Sequence, residues 1–436
     1  MSPFLTDLDS RAAIKGSRDP LAIQPIWTRF GRHIVGNLTT VSTSLRDFTT
    51  HLLGFYFVER VRELGNESGQ GDSDVNVFLR WEQLAAYCRG HVNGDWAFWG
   101  TERTRRNLSE GTRVTLSAER TYQILSNQKI YGLWGLYSVP AAASGLVDTE
   151  PARLTPPAAE FVETVLLPML TEGAGRDGRA IVELLRNGKC QVDLEGREKK
   201  LAVAVARALQ HDLTPPERLF YRDYLLFGGP ADSTAGRQRQ FVALLEQRAN
   251  DEDFQFHPPM VLALAKEARH QFGDDAELAS RLERVAHCET VMAPAADLFG
   301  YLLAQDGRKL DSLVGTLREQ WGKRLDGLNL ESIRSLRAGF ASAAGDDAAA
   351  RWIGFAEFLD AGEYGEALRT LLDHNKSVMA YRTGAGPWAE LEDGRLKIRL
   401  RDELGYLPSR RELRTLWRHP YFLNSVRIIA TSLRGG

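Results

Sequence analysis

The side chains most able to do chemistry in this chain are arginines. Arg103, Arg105 and Arg106 lie in the run TERTRRNLS, with Arg113, Arg120 and Lys129 following and Trp81, Trp96, Trp99 and Trp134 in the same region. Arg411, Arg414 and Arg418 recur at spacings of three and four in LPSRRELRTLWRHP, which places them on one face of a helix. A guanidinium presents a planar fork of donors that fits a phosphate, and arginines with aromatics among them can hold nucleic acid by charge plus stacking. The ordinary use of the same residues is solvation, or pairing with acids of the chain itself. From Arg395 to Gly436 there are ten Lys or Arg against three acids, a net of +7, so the rest of the chain carries −9. Over residues 80–130 the balance is +3. The candidate nucleic-acid-binding residues are therefore Arg103, Arg105, Arg106, Arg411, Arg414 and Arg418. Trp81 and Trp134 read as helix packing.

No other constellation reaches a reaction, and no catalytic residue, metal ligand or cofactor site is assigned. There is no phosphate loop, dinucleotide fingerprint, HExxH, GxSxG elbow or EF-hand loop. His270 and the pair His287-Cys288 are too far apart for the usual ligand spacing of a zinc site. His374-Asn375-Lys376 starts an HxK pattern, but Tyr381 stands where an acid would follow and there is no second copy. The bland reading is a helix end whose His and Lys meet terminal carbonyls. Glu198-Lys199-Lys200, with Asp177 or Asp193 before it, has the residue types of a metal-dependent nuclease of the PD-(D/E)xK kind. Those residues belong on a strand, whereas EGREKKLAVAVARAL reads as helix, with a solvated charged start.

The elements that must position these residues belong to a chain of 436 residues, 43% hydrophobic and 26% charged, with a formal net charge of −2. That is length for several domains with large cores, and it excludes a protein basic or acidic throughout. Cys88, Cys190 and Cys288 are widely spaced, which fits a reducing cytoplasm. No apolar run approaches a membrane span and no signal peptide opens the chain, so a cytoplasmic protein is expected.

Residues 1–20 read as a loose polar arm. Leu45, Phe48, Leu52 and Phe55 form the stripe of a helix between Thr43 and Leu64, and Gly65–Asp74 reads as a loop. FLRWEQLAAYCRG reads as helix, RVTLS as a short strand, and a long helical run is expected from Ala118. In LWGLYSVPAAASGLVDTEPARLT a helix ends at Ser144-Gly145, and a tight hairpin turns at Asp148–Pro151. Thr155 then N-caps a helix with Pro156 at its first position. Helix, hairpin and capped helix is how the wing of a winged helix-turn-helix reads. Residues 157–380 show helical periodicity with few strand signals, as an irregular bundle or solenoid. One stretch, RWIGFAEFLDAGEYGEALRTLLD, resembles a tetratricopeptide-type hairpin. Near the end, WAELEDGRLKIRL reads as a hairpin about Asp393-Gly394, pairing Glu392 with Arg395, Glu390 with Lys397, Leu391 with Leu396 and Ala389 with Ile398. Ser409 and Glu412 form a capping box for a helix that should run to Pro420. A final helix carries Phe422, Val426, Ile429 and Leu433 on one side.

The expected architecture is mainly α and multi-domain, with a winged-helix-like module and a small C-terminal β-hairpin plus helices. The segments are 1–74 (N-terminal helical), 75–170 (winged-helix-like), 171–380 (helical bundle or solenoid) and 381–436 (basic hairpin-helix module). Three pieces, DPLAIQPIWTRFGRHIVGNLTT, FLRWEQLAAYCR with ILSNQKIYGLWGLYSVPAAASGLV, and the hairpin with YFLNSVRIIA at the end, resemble in their order large bacterial proteins encoded in antiphage defence or DNA-modification loci. The resemblance implies a subunit working beside a nuclease, helicase or ATPase, and it carries no functional residues. The resulting expectation is a non-enzymatic subunit of a defence or DNA-processing complex that binds duplex DNA or docks partner subunits, with no membrane contact. A divergent metal-dependent nuclease and a helical protein-interaction scaffold without nucleic-acid contact are the alternatives.

Overall fold

The computed structural model describes residues 19–68, 73–251, 253–325, 327–383, 386–401 and 405–435. Most of the expected N-terminal arm, residues 1–18, lies outside them. The chain is mainly α, and the sheets among the described residues are three two-stranded antiparallel pairs. No helix among them is long and apolar enough to cross a membrane. The chain divides into two compact units: Asn250–Tyr421 with the N-terminal segment up to Ile34, and Val35–Ala249 with Phe422–Gly436.

In the second unit the apolar stripe becomes the helix Leu45–Ser68, which continues through the expected loop start; the next helix, Asp74–Cys88, begins with Ser73 as its cap. The core between them is aromatic. Trp81 is fully buried and donates to the Thr50 carbonyl at 2.8 Å, while Trp134 stacks on Phe55 and meets Phe78 edge-on. Gly54 makes the approach possible, since a Cβ there would lie 2.5 Å from the Phe78 ring. RVTLS is a strand, Arg113–Ser117, and its partner is Lys189–Asp193, a strand missed among the helical signals. Between Ala118 and Asn127 the chain turns instead of running as a helix, and only the short Gln128–Tyr131 and Leu133–Ala143 helices follow. Gln128 explains the break: its side chain bonds Gln83, Glu82 and the Leu79 carbonyl, holding a tight corner in the core.

The hairpin Val147–Thr149 with Ala152–Leu154 follows that helix, and the Pro156–Phe161 helix follows the hairpin. The order of helix, hairpin and helix is the one read from the sequence, and the hairpin is a two-stranded sheet of its own, the Arg113–Ser117 strand pairing with Lys189–Asp193 instead. Thr155 stands at the N-cap position, but its hydroxyl donates back to the Gly145 and Leu146 carbonyls, so it closes the hairpin's base instead of capping.

The first unit contains the long hairpin of Pro258–Phe272 and Glu277–Leu302, the tetratricopeptide-like pair Asp346–Ala361 and Tyr364–Thr383, and the hairpin Ala389–Glu392 with Arg395–Ile398. That hairpin has the register read from its charge and apolar matching, residue for residue. His374 is not at a helix end. It is buried mid-helix, with Nε2 2.8 Å from the Leu21 carbonyl and Nδ1 accepting from Arg351, and burial lowers its pKa to about 4. Ser409 and Glu412 form the expected capping box, but the helix is only Arg410–Leu413. Beyond it the backbone is taken by a buried acid: Glu289 accepts from the Arg418 and His419 N–H groups, from the His419 ring and from the Tyr421 hydroxyl. Arg411, Arg414 and Arg418 therefore do not share one helical face, which corrects the expectation drawn from their spacing.

Candidate nucleic-acid interface

Arg103, Arg105 and Arg106 lie on the helix Thr101–Glu110. What fixes that helix is a buried ion cluster at the end of Asp74–Cys88, where the backbone widens into a π-helical turn, Arg89–Asn93. Arg89, almost wholly buried, reaches Asp47 and Asp95 at 2.8 Å each, donates to the Ala97 carbonyl at 3.1 Å, and faces the Phe98 ring. Burial pushes the Asp47 carboxyl up, against the downward pull of Arg89, Tyr137 and Ser44. Gly90 lets the Trp96 ring lie flat on the turn, since a Cβ there would stand 2.7 Å from it. Thr101 donates to the carbonyls of Trp96 and Phe98, tying the helix start to the tryptophan loop.

On this mount the three arginines differ. Arg103 is half-buried and donates to the Gln123 carbonyl at 2.6 Å, so it braces the helix against the following turn. Arg105 is exposed and lies 4.6 Å from the centre of the Trp96 ring. Arg106 is exposed. Neither Arg105 nor Arg106 is ion-paired to a carboxylate among the described residues, and the same holds for the exposed Arg120 and Lys129, whereas Arg113 pairs with Asp193 at 3.2 Å. Trp99 remains 37% exposed beside them in sequence.

The C-terminal basic segment is organised otherwise. Lys397 pairs with Glu392, Arg399 with Glu390, Arg401 with Asp306 and Arg418 with Asp297. Of the three arginines singled out there, Arg411 and Arg414 face solvent without an ion pair among the described residues, and Arg418 is committed to Asp297.

A second carboxylate lies beneath the tryptophan loop. Glu82 accepts from the Leu133 N–H and from Gln128, each at 2.7 Å, with no ion pair to a cation among the described residues, and burial pushes it up to about 7. Asp47 and Glu82 line a space of only about 10 Å³ under Trp99 and Leu133, room for one small molecule the size of water and no substrate. They serve the fold. The nuclease-like residues are likewise occupied: Asp193 accepts from Gly196 N–H and Arg113, Glu198 accepts from the Asp193 N–H, and Lys200 is exposed on the Lys199–Ala208 helix. Asp177 sits exposed in the turn before Arg179. Among the described residues no three His, Cys, Asp or Glu side chains are grouped as metal ligands would be.

Glu82 and Glu289 were passed over because single charges in helices normally face water. A signal existed. Their neighbours at three and four residues on either side are Phe78, Leu79, Ala85 and Ala86 for the first, and Val285, Ala286, Met292 and Ala293 for the second. Each acid thus sits in the middle of an apolar stripe, where it must be buried and satisfied. The chain matches no protein-family model, no curated protein and no solved structure.

Proposed function

We propose that this protein is a non-enzymatic subunit of a DNA-processing or defence complex that grips duplex DNA by its phosphates through Arg105 and Arg106. The observation that carries the reading is their freedom: two exposed guanidiniums without a carboxylate partner among the described residues, on a helix braced from below by Arg89 and Arg103. Phosphate contacts position a protein on DNA without reading sequence. The helix before the hairpin, LWGLYSVPAAA, contains no charged residue, and the hairpin's Arg153 is held by Asp148. The contact is therefore to the backbone and indifferent to sequence. Fluorescence anisotropy with a labelled duplex tests it. Binding should weaken steeply with added salt as counterions are released, and Arg105→Glu/Arg106→Glu should abolish it. Undetectable binding at low ionic strength, or binding that ignores salt, would sink the reading.

One observation favours partner docking beside DNA contact. Ile130 and Tyr131 are each 53% exposed and Val139 67%, all on the two short helices before the hairpin. Co-purification with a neighbouring gene product, resistant to nuclease and lost in Ile130→Ser/Tyr131→Ser, would support it; unchanged co-purification of that variant would count against it.

A further inference from the structure

A flat aromatic ring stands at the start of the helix that carries Arg105 and Arg106. Of the nine tryptophans, all among the described residues, Trp99 alone is exposed, at 37%. Its edge is held. The indole N–H turns to the Tyr137 hydroxyl, which donates to Asp47 at 3.3 Å, and Asp47 is the acid that Arg89 grips. Beneath the ring the space is about 10 Å³, bounded by Glu82, Ala85, Ala86 and Leu133, so nothing larger than water enters under it. Gly100 follows at φ 92°, a region that favours glycine, and a Cβ there would stand 2.9 Å from Ile124, so the step from the ring into the helix is fixed. An indole with a fixed edge and an open face needs no ordering when another ring lands on it.

We propose that Trp99 stacks an unpaired base while Arg105 and Arg106 hold the phosphates beside it, so that the site takes a junction of duplex with single strand in preference to an intact duplex. The inference rests on the DNA reading above and specifies its substrate. Thr101 opens the helix two residues after Trp99 and Arg105 follows one turn later, so the Trp99 and Arg105 Cα atoms lie no more than about 14 Å apart. With the length of an arginine side chain added, ring and cation are within reach of neighbouring nucleotides of one strand. Glu102, exposed in the first turn, repels a phosphate and not an uncharged base, which sets the base at the helix start and the backbone further along. Every base has a π-face that an indole can cover, but inside a duplex each face is covered by the next pair, so the base must be unpaired to present it. With no cavity under the ring the base edge is not read, and stacking there tolerates any sequence.

The test is fluorescence anisotropy of the full chain at low salt with three labelled DNAs: a blunt duplex, the same duplex with a single-stranded oligothymidylate overhang, and one whose overhang is abasic but equally long and equally charged. The thymidine overhang should bind at least about fivefold more tightly than the abasic one. Trp99→Leu, which keeps an apolar cover over Glu82 without a flat ring, should remove that gain, and Trp99→Phe should retain most of it. Both variants should bind the blunt duplex as the unaltered chain does, which shows that the fold is intact. Equal binding of the two overhangs, or a gain that survives Trp99→Leu, would overturn this inference and leave the duplex reading standing. Binding to none of the three DNAs would overturn both. Loss of a co-purifying protein in Trp99→Leu, with binding to all three DNAs unchanged, would overturn it in favour of a protein-docking face.

Discussion

The two basic regions of this chain look alike in composition and differ in how far their cations are paired with acids. The C-terminal segment has the larger net charge, +7 against +3, yet four of its ten cations turn to carboxylates, Glu390 and Glu392 across the hairpin, Asp306 beside it and Asp297 on the long helix, while Arg411 and Arg414 face solvent. On the Thr101–Glu110 helix Arg103 has a carbonyl and Arg105 a tryptophan face as partner, which orient a guanidinium without cancelling its charge. A run of like charge is therefore a poor guide to field. What counts is whether the fold brings an acid to each cation, and acids close enough to pair screen a cation from any distant phosphate.

The contrast can be broken at its foundations first. Each region is fixed by one buried ion, so Arg89→Ala and Glu289→Ala should each cost about 3–5 kcal/mol, because the partners left behind stay buried. Chemical denaturation followed by tryptophan fluorescence measures both. Only Arg89→Ala should also impair DNA binding; equal impairment by Glu289→Ala would remove the distinction between the regions.

The next largest effect is of pH. Glu82 is protonated more readily in the folded chain, its pKa of about 7 standing above the ordinary carboxylate value of 4.5. Its contribution is fully present below 4.5 and is lost as pH rises through 7, on the order of 3 kcal/mol. Glu412, held down to about 2 by Ser409 and Tyr406, has the opposite sign: its contribution is present above 4.5 and lost as pH falls towards 2. The buried His374 and His51, held down to about 4 and about 3, work against Glu82 below pH 6.5, so the test is the difference between chains. In thermal unfolding from pH 5 to 8, Glu82→Gln should remove a component of stability that falls with rising pH, and Glu412→Gln should not.

Binding sharpens the comparison directly. Arg105→Ala/Arg106→Ala should weaken duplex binding at low salt by at least about tenfold and reduce the slope of log K against log salt by about 2. Arg399→Ala/Arg418→Ala, which removes two ion-paired cations, should change it by less than about twofold. The smallest effect expected is from Asp297→Asn. It releases Arg418 and should raise the salt slope by at most about 1, one added phosphate contact. A large gain would mean that ion pairing alone silences the C-terminal segment.

Much of the fold was legible wherever a local pattern was strong. The 389–398 hairpin followed from a turn dipeptide with two matched faces, the Ser409–Glu412 box from its spacing, and the 45–68 helix from its apolar stripe. The Lys189–Asp193 strand was hidden because its partner lies some 75 residues earlier, at Arg113–Ser117, and two-stranded pairing across such a distance leaves no local mark. The helix expected to run to Pro420 stops at Leu413 for a similar reason: Glu289, far away in sequence, holds the backbone N–H groups of Arg418 and His419 in an extended course.

By itself, then, the sequence determined a mainly α chain and the places where its charge collects, because helical periodicity, turn chemistry and composition are all read within a few residues. The pairing of those charges was decided only by tertiary structure. Ion pairs join residues about a hundred positions apart, Arg401 to Asp306 and Arg418 to Asp297, and burial of Glu82, Glu289 and Arg89 depends on which helices meet. Electrostatics acts through space and not along the chain, so the cations left available for a ligand appear only once the chain has folded.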